Sequence, residues 1–160
     1  MMTNLYKIDV SVKTEYLEYQ SIPNEEKYFF SYTVTIKNNG KIPAKLISRH
    51  WVIADSNEKI EEVTGLGVVG EQPRLEPKES FEYTSGTVLN TPVGTMYGSY
   101  QMVADNGYEF DANIPLFSLT SRKSSWIMQH PFLTYFLSLV RFAGGSKRYQ
   151  HARLYDPALS

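Results

Sequence analysis

Apolar and polar positions alternate along most of the first 120 residues, and the alternation has a period of two. Tyr6, Ile8, Val10 and Val12 fall on one side of a stretch whose other side is Lys7, Asp9, Ser11 and Lys13. That pattern predicts a strand with one buried face. Tyr28 to Lys37 is a second strand, with Tyr28, Phe30, Tyr32, Val34 and Ile36 interleaved with Phe29, Ser31, Thr33, Thr35 and Lys37. Further strands are expected over 44–54, 59–64, 79–88, 96–103 and 108–117. Turn signals separate them: Ser21 to Glu26 with Pro23, Asn38-Asn39-Gly40-Lys41, Asp55 to Glu58, Thr91-Pro92-Val93-Gly94, and Asp105-Asn106-Gly107. At the Asn38–Lys41 turn, Asn and Gly tolerate positive φ at little cost. About seven strands at this spacing, with no persuasive helix before residue 121, predict a small antiparallel β-sandwich.

The period changes after Ser121. Trp126 to Phe142 is densely apolar, and Pro131 suits the first turn of a helix that Gly144-Gly145 would end. Such a segment either packs on the sandwich, lacks regular structure, or lies at a membrane surface. Charge changes at the same place. Residues 1–121 hold ten Lys and Arg against sixteen Asp and Glu, a net −6, whereas residues 122–160 hold six against one, a net +5. Two units are therefore expected, a sandwich over 1–121 and a basic extension over 122–160.

An acidic body is a poor partner for nucleic acid, whose affinity rests largely on Lys and Arg at phosphates. No run approaches the roughly 18 apolar residues of a bilayer span, so stable membrane insertion is not expected. The chain has no cysteine, which removes thiolate chemistry and suits the cytoplasm. The N-terminal residues lack the apolar core of a signal peptide. His50, His130 and His151 are far apart, and no spacing of His with carboxylates suggests a metal site. Thr84-Ser85-Gly86 offers hydroxyls without an activating base near them in sequence. No catalytic residue, metal or cofactor is assigned, and an enzyme is not expected.

One stretch does invite chemistry. Gly65-Leu66-Gly67-Val68-Val69-Gly70 is a G-x-G-x-x-G pattern. In a dinucleotide fold a helix would follow, with its N-terminus on the pyrophosphate. Here Pro73 and Pro77 prevent a regular helix, and Glu71 and Glu76 oppose an anion. Two readings remain: a tight irregular loop between strands, or a nest of backbone N–H groups that binds an anion without a helix. The candidate residues for an anion or a protein partner are Gly65, Gly67, Gly70, Gln72 and Arg74. Val68 and Val69 are either a buried plug or an exposed apolar contact.

Several ordered motifs resemble one known family. They are Gly67-Val68-Val69-Gly70-x-Gln72-Pro73; Pro77-x-Glu79-x-Phe81-x-Tyr83-Thr84-Ser85-Gly86; and Thr91-Pro92-x-Gly94-x-Met96-x-Gly98-x-Tyr100-x-Met102. Tyr28-x-Phe30-x-Tyr32-Thr33-Val34-Thr35-Ile36-x-Asn38 and Arg49-x-Trp51 add to them. Over about residues 5–119 the chain resembles the ApaG family. The resemblance implies a fibronectin type III-like sandwich, an association with cobalt and magnesium homeostasis, and a role in binding an unidentified protein partner. It also implies, as the alternative, a phosphate-containing small ligand at the glycine loop, here Gly65, Gly67 and Gly70. Members of the family end soon after the last strand, so residues 122–160 depart from it. The exposed edge strands of such a fold offer a route to a homodimer by sheet extension.

Overall fold

The computed structural model describes residues 5–122 and the main chain of residues 149–150. The expected helix over 131–142, His130, His151 and the rest of the basic extension lie outside the described residues. The strands are β1 (Ile8–Tyr16), β2 (Tyr28–Asn38), β3 (Ala44–Asp55), β4 (Ile60–Leu66), β5 (Arg74–Leu75), β6 (Ser80–Leu89), β7 (Val93–Ala104), β8 (Glu109–Thr120) and β9 (Tyr149–Gln150). The only helical turn among the described residues is a 3-10 turn at Pro23–Glu25.

Two sheets form. One has the order β1-β2-β6-β9, the other β4-β3-β7-β8, with β5 also paired to β3. All pairings are antiparallel except β6 with β9. This is the β-sandwich expected from the alternation, and the core follows from it. Phe30, Tyr32, Val34 and Ile36 of β2 face Leu46, Trp51 and Ile53 of β3, with Phe81 and Tyr83 of β6 and Met96, Tyr100 and Met102 of β7 completing the layer. Trp51 sits at its centre, in edge contact with Tyr32, Tyr100 and Phe117 at centroid distances of 5.4, 6.3 and 5.9 Å. β1 packs against β8 along one side of the sandwich. On the other side, Val63 of β4 and Gly86 and Thr87 of β6 flank a narrow slit.

Four details differ from the expectations. β4 runs on through Gly65 and Leu66, so the first glycine is a strand residue. β7 begins at Val93, inside the expected turn. β5 was hidden because its two residues lie between Pro73 and Pro77, which read as loop. At the Asn38–Lys41 turn, Gly40 is not at positive φ. Its role is clearance, because a Cβ there would lie 2.4 Å from the Leu5 carbonyl oxygen and 2.8 Å from the Lys7 nitrogen. The turn is organised instead by Asn38, which is 1% exposed. Its Nδ2 donates to the carbonyls of Ile42 and Leu75, both at 2.9 Å, and its Oδ1 accepts from Gly40 N–H at 2.8 Å.

Candidate functional site

The glycine stretch grows out of an irregularity in its neighbour. Between Leu46 and Ser48 the register of β3 against β7 slips, leaving Ile47 in a bulge. The Ile47 carbonyl accepts from Gly67 N–H at 2.8 Å and from Gln72 Nε2 at 2.9 Å. The loop after β4 therefore caps the bulge. Beyond Gly67, Val68 and Glu71 exchange two backbone hydrogen bonds of 2.8 and 2.9 Å. Val69 and Gly70 between them have φ of 46° and 80°, the left-handed pair of a type I′ hairpin turn. Gly67 also needs its lack of a side chain, since its φ is 63° and a Cβ would lie 2.4 Å from the Glu71 carbonyl oxygen. Val68 is fully buried and plugs the core, while Val69 is half-buried at the tip. The N–H groups of Gly67, Val68 and Glu71 are thus engaged within the fold.

Gly65 serves a different residue. It stands opposite Arg49 in the β3–β4 ladder, and a Cβ there would be 2.9 Å from Arg49 Nη1. The guanidinium crosses β4 at this glycine, and Nη1 donates to the carbonyls of Leu66 (3.1 Å) and Gly67 (2.9 Å). Arg49 lines the slit beside Tyr32, Trp51, Val63, Gly86 and Thr87, whose volume of about 10 Å³ is near that of one water. Deeper in the core, the hydroxyls of Tyr83 and Tyr100 share a hydrogen bond. Burial pushes both phenols well above their ordinary range, and the charge of Arg49 pulls weakly the other way. In the sequence Arg49 stands out only as part of Arg49-x-Trp51. The signal that could have singled it out is a glycine at its cross-strand position.

Arg74 lies apart from both groups. Its Nε donates to Asp105 Oδ1 at 3.0 Å, Nη2 to Asp105 Oδ2, and Nη1 to Glu76 Oε1 at 2.6 Å. This exposed fork ties β5 to the β7–β8 turn. Hydrogen bonding to Arg74 holds the Asp105 carboxyl below its usual range. The five candidates therefore occupy three places: Gly67, Gly70 and Gln72 in the capped loop, Gly65 beneath Arg49, and Arg74 between two carboxylates.

The solvent face of the β4-β3-β7-β8 sheet carries the rest. A shallow concavity of about 530 Å³ lies over Ser48, His50, Thr64, Ser99, Gln101 and Asp111, with Leu66 at its border. Hydrogen bonds link its floor: Ser48 Oγ to Gln101 Oε1 (2.8 Å), Gln101 Nε2 to Ser99 Oγ (3.0 Å), and His50 Nε2 to Glu62 Oε2 (2.8 Å). Alongside it, Ile60, Leu66, Tyr97 and Leu116 are 66%, 76%, 44% and 62% exposed. Among the described residues no group of three or more His, Asp or Glu could hold a metal ion, and no helix is long and apolar enough to cross a membrane.

Comparison with known proteins agrees with this architecture. The family model described as the ApaG domain matches residues 18–104. The chain is 60% identical over 114 residues to Protein ApaG of Thiobacillus denitrificans, covering 71% of this chain and 90% of the relative. It is 53% identical over 122 residues to Protein ApaG of Dechloromonas aromatica, covering 76% and 96%. Among solved structures, the putative ApaA protein from Bordetella pertussis superposes with a TM-score of 0.73 at 50% identity, covering 75% of this chain and 98% of that one.

Proposed function

The chain belongs to the ApaG domain family, and from that premise we propose that it is a non-enzymatic interaction module. Its binding surface is the solvent face of the β4-β3-β7-β8 sheet together with the loop that leaves β4, and its ligand is a protein partner. The observation that carries this reading is the set of large apolar side chains left exposed on that one sheet: Ile60 and Leu66 on β4, Tyr97 on β7 and Leu116 on β8. Exposed apolar groups around a polar concavity are the composition of a protein-binding surface, in which aromatic and aliphatic anchors supply most of the energy. The half-buried Val69 supports the same reading. A β-branched residue at φ 46° is held in a conformation it disfavours, and backbone strain of this kind gathers where a surface is shaped for contact.

The phosphate-ligand reading of Gly65, Gly67, Gly70, Gln72 and Arg74 has less to offer. Three of the loop's N–H groups and the Gln72 amide are already bonded, and Arg74 faces two carboxylates. An association with cobalt and magnesium homeostasis would then run through the partner. The cytoplasm is the setting proposed for it.

The test compares the wild-type protein with a Tyr97→Glu, Leu116→Glu variant in cross-linking and affinity capture, followed by measurement of the captured partner's Kd. Loss of about tenfold or more in affinity at unchanged melting temperature is expected, given the weight such anchors carry. Equal affinity in both proteins would remove this face from the interface. A parallel NMR titration with pyrophosphate reports on the alternative: saturable shifts centred on Gly65, Gly67 and Gly70 would favour the ligand reading instead.

A further inference from the structure

Leaving aside the two residues of β9, the two sheets end in four outer strands, and three of them carry features that discourage pairing with another chain. β1 has Asp9, Lys13 and Glu15; β4 has Glu61 and Glu62; β8 has Glu109, Asp111, Pro115 and a register break opposite Met96–Gly98. Charges, prolines and bulges are the usual protection of a sheet edge. β6 is different. Its ten residues include no proline and one charge, Glu82. Its inward side chains alternate regularly into the core, and its ladder with β2 runs from Ser80 to Leu89 without a bulge. A long, regular edge of this kind is a template for one more strand.

The structure shows what meets it. Tyr149 and Gln150 pair in parallel with Glu82 and Tyr83, so the first added strand comes from the chain's own extension and lands on the one charged position of β6. The sequence around it is basic: Lys147 and Arg148 precede the pair, and His151 and Arg153 follow. Residues 1–121 carry a net −6 and residues 122–160 a net +5. On the same side of the sandwich, β4 adds Glu61 and Glu62. Main-chain pairing and charge thus point to the same occupant.

We propose that the β6 edge is a strand-accepting surface whose occupant in the free protein is the basic segment centred on Tyr149–Gln150. The segment docks in cis, parallel to β6, and shields the edge from pairing with a second copy. This surface is separate from the sheet face proposed above for the partner, so either reading can fail without the other.

The absence of cysteine makes a direct test clean. In the full chain, Glu82→Cys and Tyr149→Cys are introduced together. Partners directly opposed in a ladder bring their Cα atoms within the roughly 4.4–6.8 Å that a disulfide tolerates. Under mild oxidation at micromolar protein, an intramolecular disulfide should form at least about tenfold faster than in a control pair, Thr95→Cys with Tyr149→Cys, because pairing raises the effective concentration of the two thiols. Equal rates would overturn the proposal. A predominantly intermolecular disulfide would overturn the cis occupant in favour of a second copy. A second arm leaves β6 untouched. Gln150→Pro in the otherwise natural chain should speed hydrogen exchange at the edge-facing amides between Phe81 and Thr84 by about tenfold, since proline disrupts the added strand. Unchanged exchange at those amides would overturn the proposal equally.

Discussion

Gly67 and Gly70 belong to one motif and both have positive φ, at 63° and 80°, yet alanine should affect them very differently. At Gly70 nothing lies within 4 Å of an added Cβ. The cost is the left-handed conformation alone, about 1 kcal/mol. At Gly67 the same conformational cost applies, and the new Cβ would also sit 2.4 Å from the Glu71 carbonyl oxygen and 3.0 Å from its carbon. Both contacts are backbone, so the hairpin must open. Opening weakens the paired bonds between Val68 and Glu71, about 1 kcal/mol each. It also loosens Val68, a fully buried side chain whose complete exposure would cost roughly 1.5–3 kcal/mol. With partial relaxation the sum is about 3 kcal/mol for Gly67→Ala against about 1 for Gly70→Ala. Urea unfolding followed by tryptophan fluorescence reads the difference, because Trp51 is 3% exposed at the core centre. At a slope of about 2 kcal/mol/M, the midpoint should fall by about 1.5 M for Gly67→Ala and about 0.5 M for Gly70→Ala. Comparable midpoints for the two variants, or a larger loss at Gly70, would refute the account of the loop as a cap on the Ile47 bulge.

Other expectations concern the turn, the tip and the core. Asn38→Ala leaves the Leu75 carbonyl, the half-buried Ile42 carbonyl and the Gly40 N–H without their Asn38 partner, and should lower stability by about 3 kcal/mol in the same urea assay. Val69→Asn places the favoured Asn-Gly pair in the type I′ turn and relieves the strained valine. It should raise stability by about 0.5 kcal/mol net of lost apolar contact while weakening partner affinity, as capture and calorimetry would show. The Tyr83 and Tyr100 phenols have folded pKa values raised by burial above the ordinary phenol value. Their contribution to stability is complete below about pH 10 and is lost as pH climbs beyond it. Phenolate absorbance should show these two groups ionising only with unfolding at alkaline pH, and a Tyr83→Phe, Tyr100→Phe variant should lack that component.

What could be read from the chain, and what could not, follows from the range of the interaction involved. Strand positions were legible because burial alternates residue by residue: Phe30, Tyr32, Val34 and Ile36 face inward, as do Phe81, Tyr83, Ser85, Thr87 and Leu89. Such a pattern needs only neighbours in sequence. The Ile47 bulge was not legible, because one extra apolar residue between Leu46 and Ser48 leaves the composition of the strand unchanged. The spacing of the glycines looks like a phosphate motif, whereas each answers a separate non-local demand: Gly65 a guanidinium from β3, Gly67 the Glu71 carbonyl, Gly70 the handedness of a turn. Arg74 shows the same limit, since its fork closes on Asp105, 31 residues away. A motif fixes which residues recur together and says nothing of what each one avoids. At this loop, avoidance explains two of the three glycines, and the handedness of the turn explains the third.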